Sequence, residues 1–178
     1  TCLRVYLCTY LPMYSLTEIT DHPEEFRETV LHSRPFRPLY AKIKVIYGCN
    51  LKCEMCNHWR ETREPPVSAD RFKQVISELA ELGTQKIHIS GGEPMLRPHI
   101  SEFVEHASAL GIKVTMTTNG TLITKEKAKQ LVEGGLRGVN ISIDSPIRKM
   151  HEKIRGVEGS FKATTKAVEL FRRYKHKG

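Results

Sequence analysis

Ile43-Lys44-Val45-Ile46-Tyr47-Gly48-Cys49-Asn50-Leu51-Lys52-Cys53-Glu54-Met55-Cys56 sets a β-type run directly against three cysteines. The run Ile43 to Tyr47 reads as a strand because it is rich in β-branched and aromatic side chains, and the cysteines fall in the loop that leaves it. Three thiolates within one short loop can wrap a small iron–sulfur cluster. They hold three irons of a cubane and leave the fourth without a protein ligand, open to a substrate or cofactor. A second signal, Gly91-Gly92-Glu93-Pro94, follows the next β-type run, Ile87-His88-Ile89.

Downstream, the pattern repeats. Ser68 caps an expected helix with Phe72, Val75, Ile76, Leu79 and Leu82 on its apolar face, closed by Gly83. Pro98 opens another, with Ile100, Phe103, Val104, Ala107 and Leu110 inward and Gly111 at its end. Val114 to Thr117 reads as a third strand. Thr124 begins a helix carrying Ala128, Leu131 and Val132. Val139 to Ile143 is a fourth strand, and Ser160 starts a helix with Phe161, Ala167, Val168 and Phe171 on one side. Even spacing of such units predicts an α/β fold with parallel strands joined by right-handed crossovers. Ligands of such sheets collect at the carboxyl ends of the strands. The cysteine loop, Gly91–Pro94, Thr118-Asn119-Gly120 and Ser142 to Ser145 all fall on that rim. Asn140, Ser142 and Asp144 alternate and therefore share one face.

Residues 1–41 do not fit the repeat and are read as an N-terminal extension and linker, with a short helix from Pro23 to His32 and a linker over Arg34–Pro38. Residues 42–178 form the βα part. The chain stops after a helix where another strand is expected, so it reads as a piece of a longer protein.

The length of 178 residues suits one core, with 39% hydrophobic and 27% charged residues. No apolar run approaches the roughly 18 residues of a membrane helix, and Val5 to Leu16 is a poor signal peptide. Five cysteines, three of them crowded, argue against a secreted disulfide framework and for the cytoplasm. Cys2 and Cys8 read as incidental thiols, with a second metal site as the alternative. Net charge is +8, and residues 152–178 hold eight Lys/Arg against three Glu. Because Lys162, Lys166, Arg173 and Lys177 recur at helical spacing, this basic stretch reads as a solvated helix face ahead of a nucleic-acid surface.

The cysteine spacing itself admits three readings. One is a structural zinc site with His58 as fourth ligand, although zinc ligands usually come in two separated pairs. Another is a ferredoxin-type carrier, for which only Cys2 or Cys8 could complete the set. The third is a site-differentiated [4Fe–4S] cluster.

C-N-L-K-C-E-M-C, followed by G-G-E-P, T-T-N-G and S-I-D-S, resembles the radical S-adenosylmethionine (SAM) superfamily, from about Lys42 to Tyr174. H-E-K-I-R-G-V-E-G-S-F at 151–161 is most similar to the branch of peptide-modifying enzymes and the molybdenum-cofactor cyclase. The resemblance implies a partial (βα) barrel of the radical SAM type, with about four of the usual six units. It implies a [4Fe–4S] cluster on Cys49, Cys53 and Cys56, with S-adenosyl-L-methionine on its open iron. An external flavodoxin- or ferredoxin-like reductant would supply the electron that cleaves SAM. The resulting 5′-deoxyadenosyl radical would take hydrogen from an unknown substrate, a peptide or a cofactor precursor. Met55 stands where relatives place a bulky residue near the adenine, with loop packing as the alternative. Gly91 and Gly92 would let the backbone approach the methionine amino group, with Glu93 orienting that ammonium or the turn itself. Ser142 and Asp144 would face the ribose or the carboxylate. Arg155 would approach the SAM carboxylate, with a surface position as the alternative. The rival from another class is a non-catalytic iron–sulfur electron-transfer or scaffold module, which needs no SAM pocket.

Overall fold

The computed structural model describes residues 2–6, 20–32, 38–60 and 67–174. Four strands run parallel: β2 (Tyr40–Lys44), β3 (Lys86–Ser90), β4 (Lys113–Thr118) and β5 (Leu136–Ser142). β1 (Cys2–Tyr6) pairs antiparallel with β5, giving the order β1-β5-β4-β3-β2. The helices are α1 (Pro23–Leu31), α2 (Ala69–Glu81), α3 (Ile100–Ala109), α4 (Lys125–Glu133), α5 (Arg148–Arg155) and α6 (Ser160–Tyr174).

Two expected caps explain where α2 and α4 start. Ser68 Oγ accepts the Arg71 N–H at 3.2 Å, and Thr124 Oγ1 accepts that of Lys127 at 3.2 Å. Alternation then divides the sheet into two chemistries. Ile87 and Ile89, Val114 and Met116, Val139 and Ile141 face the helices. There they meet Phe103, Leu131 and Phe171, each fully buried. Each such side chain contributes about 1.5–3 kcal/mol of burial. The other face carries His88, Thr115, Thr117 and Asn140. It is held by side-chain hydrogen bonds from His88 to Thr115 and Thr117, both 2.9 Å, and from Asn140 to Thr117, 3.3 Å.

Several expectations change. The first parallel strand is Tyr40–Lys44, three residues earlier than Ile43–Tyr47. Val45 still donates to Ser90 O, but Ile46 turns its carbonyl to the Gly92 N–H and so leaves the ladder. Tyr40 and Ala41, placed in the extension by sequence, therefore belong to the sheet. The N-terminal segment also supplies an edge strand, with Cys2 in register opposite Ser142. Finally, α5 is a helix that the periodicity did not announce. Its sequence, RKMHEKIR, has only His151 buried. Leu82, expected inward, caps α2 and is 58% exposed. Cys8, Lys177 and most of the Arg34–Pro38 linker lie outside the described residues.

Candidate functional site at the carboxyl rim

The cysteine loop is fastened on three sides. From β3, Gly92 N–H donates to Ile46 O and Glu93 N–H to Gly48 O, both 2.9 Å. From α5, the terminal carbonyls of Arg155 and Ile154 accept the N–H groups of Lys52 and Glu54, both 3.1 Å. These are carbonyls a helix end leaves unpaired. From within, Trp59 Nε1 donates to Cys53 O at 3.3 Å, and Arg60 covers the Trp59 ring. Trp59 thus braces the loop, and His58 stands against Tyr47, ring centroids 6.3 Å apart.

Gly91 has φ 144°, and a Cβ there would strike Ile46 O; at Gly92 it would strike the backbone of Tyr47 and Gly48. The glycines are needed first for the contact of turn with cysteine loop. Gly156 plays the same part on the other side. It ends α5 in the left-handed region at φ 66°, and a Cβ would meet Lys52 O.

Glu93 is fully buried. Its carboxylate accepts the Met95 N–H at 3.0 Å, the Thr118 hydroxyl at 2.7 Å and the Asn119 N–H at 2.8 Å. Burial pushes its pKa above the ordinary carboxylate range, against the pull of these donors. Of its two expected roles, the geometry shows the one on the turn: Glu93 ties the end of β3 to the end of β4. Asn119 carries the tie onward. Its Nδ2 donates to Asn50 Oδ1 at 2.9 Å and points at Cys49 Sγ, 3.8 Å away, while Thr164 on α6 donates to its carbonyl at 2.8 Å.

Cys49, Cys53 and Cys56 are free thiols. Leu51 N–H lies 3.5 Å from Cys49 Sγ, and Arg155 Nη1 lies 3.6 Å from Cys53 Sγ. Burial raises the Cys49 pKa, so a metal must displace its proton. Among the described residues no three His, Cys, Asp or Glu side chains gather closely enough to ligate a single ion. A cubane makes a different demand, since each thiolate binds a different iron. Three free thiols in one loop, with N–H donors aimed at two of the sulfurs, suit that group in donor chemistry.

Arg155 is not a surface residue; its side chain is 11% exposed. Its guanidinium reaches Cys53 with one arm. The rest pairs with Asp144, with Nη2 3.1 Å from Oδ1 and Nε 2.5 Å from Oδ2, the latter an ion pair rather than an aligned hydrogen bond. His151, fully buried, backs Asp144 by accepting its N–H at Nδ1, 3.3 Å. Burial, then the Arg155 charge, lowers the His151 pKa, which favours the neutral ring that accepts at Nδ1. Ser142 ends β5, half-buried, and its hydroxyl makes no hydrogen bond among the described residues. Met55 is 64% exposed on the cysteine loop. His151 had no place among the sequence candidates, and Asn119 had a place on the rim without a role. The available signal for α5 and His151 was Gly156 after Lys153 and Arg155, a helix-ending pattern.

A parallel βα sheet thus gathers three free cysteines under a Gly-Gly turn at its carboxyl rim. The sequence profile of the radical SAM superfamily matches residues 43–178, and the chain belongs to that superfamily. It is 34% identical over 131 residues to the AdoMet-dependent heme synthase of Oleidesulfovibrio alaskensis, covering 72% of this chain and 34% of that protein. It is 33% identical to the PqqA peptide cyclase of Bradyrhizobium diazoefficiens, covering 67% of this chain and 32% of that one. The chain thus spans about a third of the length of these relatives. In three dimensions it resembles Streptococcus suis SuiB bound to S-adenosylmethionine, with TM-score 0.73, 22% identity, and coverage of 92% of this chain and 39% of that one. It also resembles anSMEcpe with bound AdoMet, with TM-score 0.65, 29% identity, and coverage of 78% and 42%.

Proposed function

We propose that the whole protein is a radical SAM enzyme holding a [4Fe–4S] cluster on Cys49, Cys53 and Cys56 and SAM beside it. The observation that carries this reading is the convergence of three free thiols, the Gly-Gly turn and the Asp144–Arg155 pair on one rim. A plain electron carrier needs the thiols but no SAM pocket beside them. When bound, the cluster supplies the electron that cleaves SAM to methionine and a 5′-deoxyadenosyl radical. The chain's own residues do the rest. Leu51, Asn119 and Arg155 steady the sulfurs. The backbone of Gly91 and Gly92, with Glu93 fixing its course, lies beside the methionine amino group. Ser142 and Asp144 face the ribose or carboxylate, Arg155 faces the carboxylate, and Met55 flanks the adenine. A low-potential flavodoxin- or ferredoxin-like protein supplies the electron, and free thiols suit a cytoplasmic setting. The substrate is a peptide or a cofactor precursor, in keeping with the relatives named above. Among the described residues no helix is long and apolar enough to cross a membrane. Lys162, Lys166 and Arg173 lie on the exposed side of α6, as a solvated face would.

Asp144→Ala in the whole protein should weaken SAM binding by about 10- to 150-fold, the worth of one hydrogen bond to a charged acceptor. The measurement is SAM affinity with iron content followed in parallel. Unchanged affinity at full iron content would remove Asp144 from the site.

A further inference from the structure

The face of the sheet opposite the helices has an uneven charge. Its positions come in rows set by the register: Tyr40, Lys86 and Lys113; then Lys42, His88, Thr115 and Gly138; then Lys44, Ser90, Thr117 and Asn140. Four of these are lysines and none is Asp or Glu. Of the acids at the adjoining rim, Glu93 is engaged by Thr118 and Asn119 and Asp144 by Arg155, while Glu54 stands exposed on the cysteine loop. Lys42 and Lys44 are exposed, while Ala41 and Ile43 between them pack on the core. Neither lysine has a carboxylate partner among the described residues. Lys44 Nζ is only 5.9 Å from the Tyr47 ring, just below the cysteine loop.

We propose that Lys42 and Lys44 are the substrate's anion-binding residues, and that the substrate is a small molecule carrying at least two oxyanion groups, carboxylates or phosphates. This rests on the radical SAM reading, which puts the reacting atoms at the rim above Lys44. Two positions apart on a strand, the lysines are spaced by roughly 7 Å. They therefore suit two anionic groups on one molecule better than a single one. His88, with both ring nitrogens engaged by Thr115 and Thr117, gives this surface a fixed polar floor. Two exposed lysines of one sign beside the cysteine loop also concentrate anions near the rim. Lysines on an edge strand can serve only to block pairing with another chain. That need does not extend to Lys86 and Lys113, which sit on interior strands with the same sign on the same face.

The experiment titrates the whole protein, cluster-loaded and metal-free, with coproporphyrin III as a tetracarboxylate and GTP as a triphosphate, at low and high salt. Wild type should bind one of them, more weakly as salt rises, and the preferred probe tells carboxylate from phosphate. Lys42→Gln/Lys44→Gln should lose about 30-fold or more in affinity and most of the salt dependence. Lys42→Arg/Lys44→Arg should retain binding, which separates loss of charge from loss of fold. SAM affinity of the cluster-loaded form should stay as in wild type in both variants. Binding of neither probe by wild type overturns the proposal, as does wild-type binding by the glutamine variant. A glutamine variant that self-associates yet binds like wild type assigns the lysines to edge protection. Failure of the cluster-loaded wild type to bind SAM would count against the enzyme reading instead, while the metal-free titration still decides this one.

Discussion

Glu93→Ala is expected to lower the unfolding free energy of the metal-free chain by about 3–5 kcal/mol. The carboxylate is the shared acceptor of three donors from two strand ends, and no water reaches it. Alanine leaves the Met95 and Asn119 N–H groups and the Thr118 hydroxyl without it, each at a cost of about 1–3 kcal/mol less what relaxation recovers. Urea unfolding reads the loss directly. The sign of the pH dependence gives a second readout. Burial raises the folded-state pKa of Glu93 above its unfolded value. Its contribution to stability is then fully present below the unfolded pKa and is lost as pH rises through the folded one. Glu93→Gln should abolish that component while keeping one acceptor oxygen. A stability difference under about 1 kcal/mol for Glu93→Ala would show that the tie between β3 and β4 is carried elsewhere.

Gly92→Ala should be comparably damaging, but to the rim in particular. A Cβ at this position has no free volume, because the backbone of Tyr47 and Gly48 occupies it. Those atoms belong to the segment that enters the cysteine loop, so relief requires the turn and the loop to part. The Gly92–Ile46 and Glu93–Gly48 hydrogen bonds would go with that contact. Overpacking of this kind typically costs about 1–3 kcal/mol, and two lost backbone hydrogen bonds add about 1 kcal/mol each. The expected result in the whole protein is a folded core with iron content after reconstitution well under half that of wild type. Gly159→Ala is the control, because its Cβ would meet nothing within 4 Å although its φ of 78° carries modest strain. Full iron loading of Gly92→Ala would refute the dependence of the cysteine loop on this contact.

The parallel units were legible because each carries local signals: alternation in the strands, a 3.6-residue period in the helices, and caps at Ser68 and Thr124. α5 was not, because its eight residues bury only a histidine and so show no apolar stripe. The antiparallel entry of β1 was hidden for another reason, since nothing within Cys2–Tyr6 states which edge it joins or in which direction. At the site, the cysteines and the Gly-Gly turn stood out because their chemistry demands those residue types. Their supports did not. Glu93 meets Thr118 and Asn119 across 25 and 26 residues, and Arg155 meets Cys53 across 102. Such pairs exist only once the sheet has formed. The burial of Glu93 likewise favours, of its two expected roles, the one on the turn.

Electron paramagnetic resonance of the reduced, anaerobically reconstituted whole protein, before and after SAM, reads the cluster and its open iron together. About four irons per chain are expected, lost in each of Cys49→Ala, Cys53→Ala and Cys56→Ala, with a cluster spectrum that changes when SAM is added. One stably bound zinc per chain, or a fully loaded cluster whose spectrum ignores SAM, would contradict the radical SAM reading.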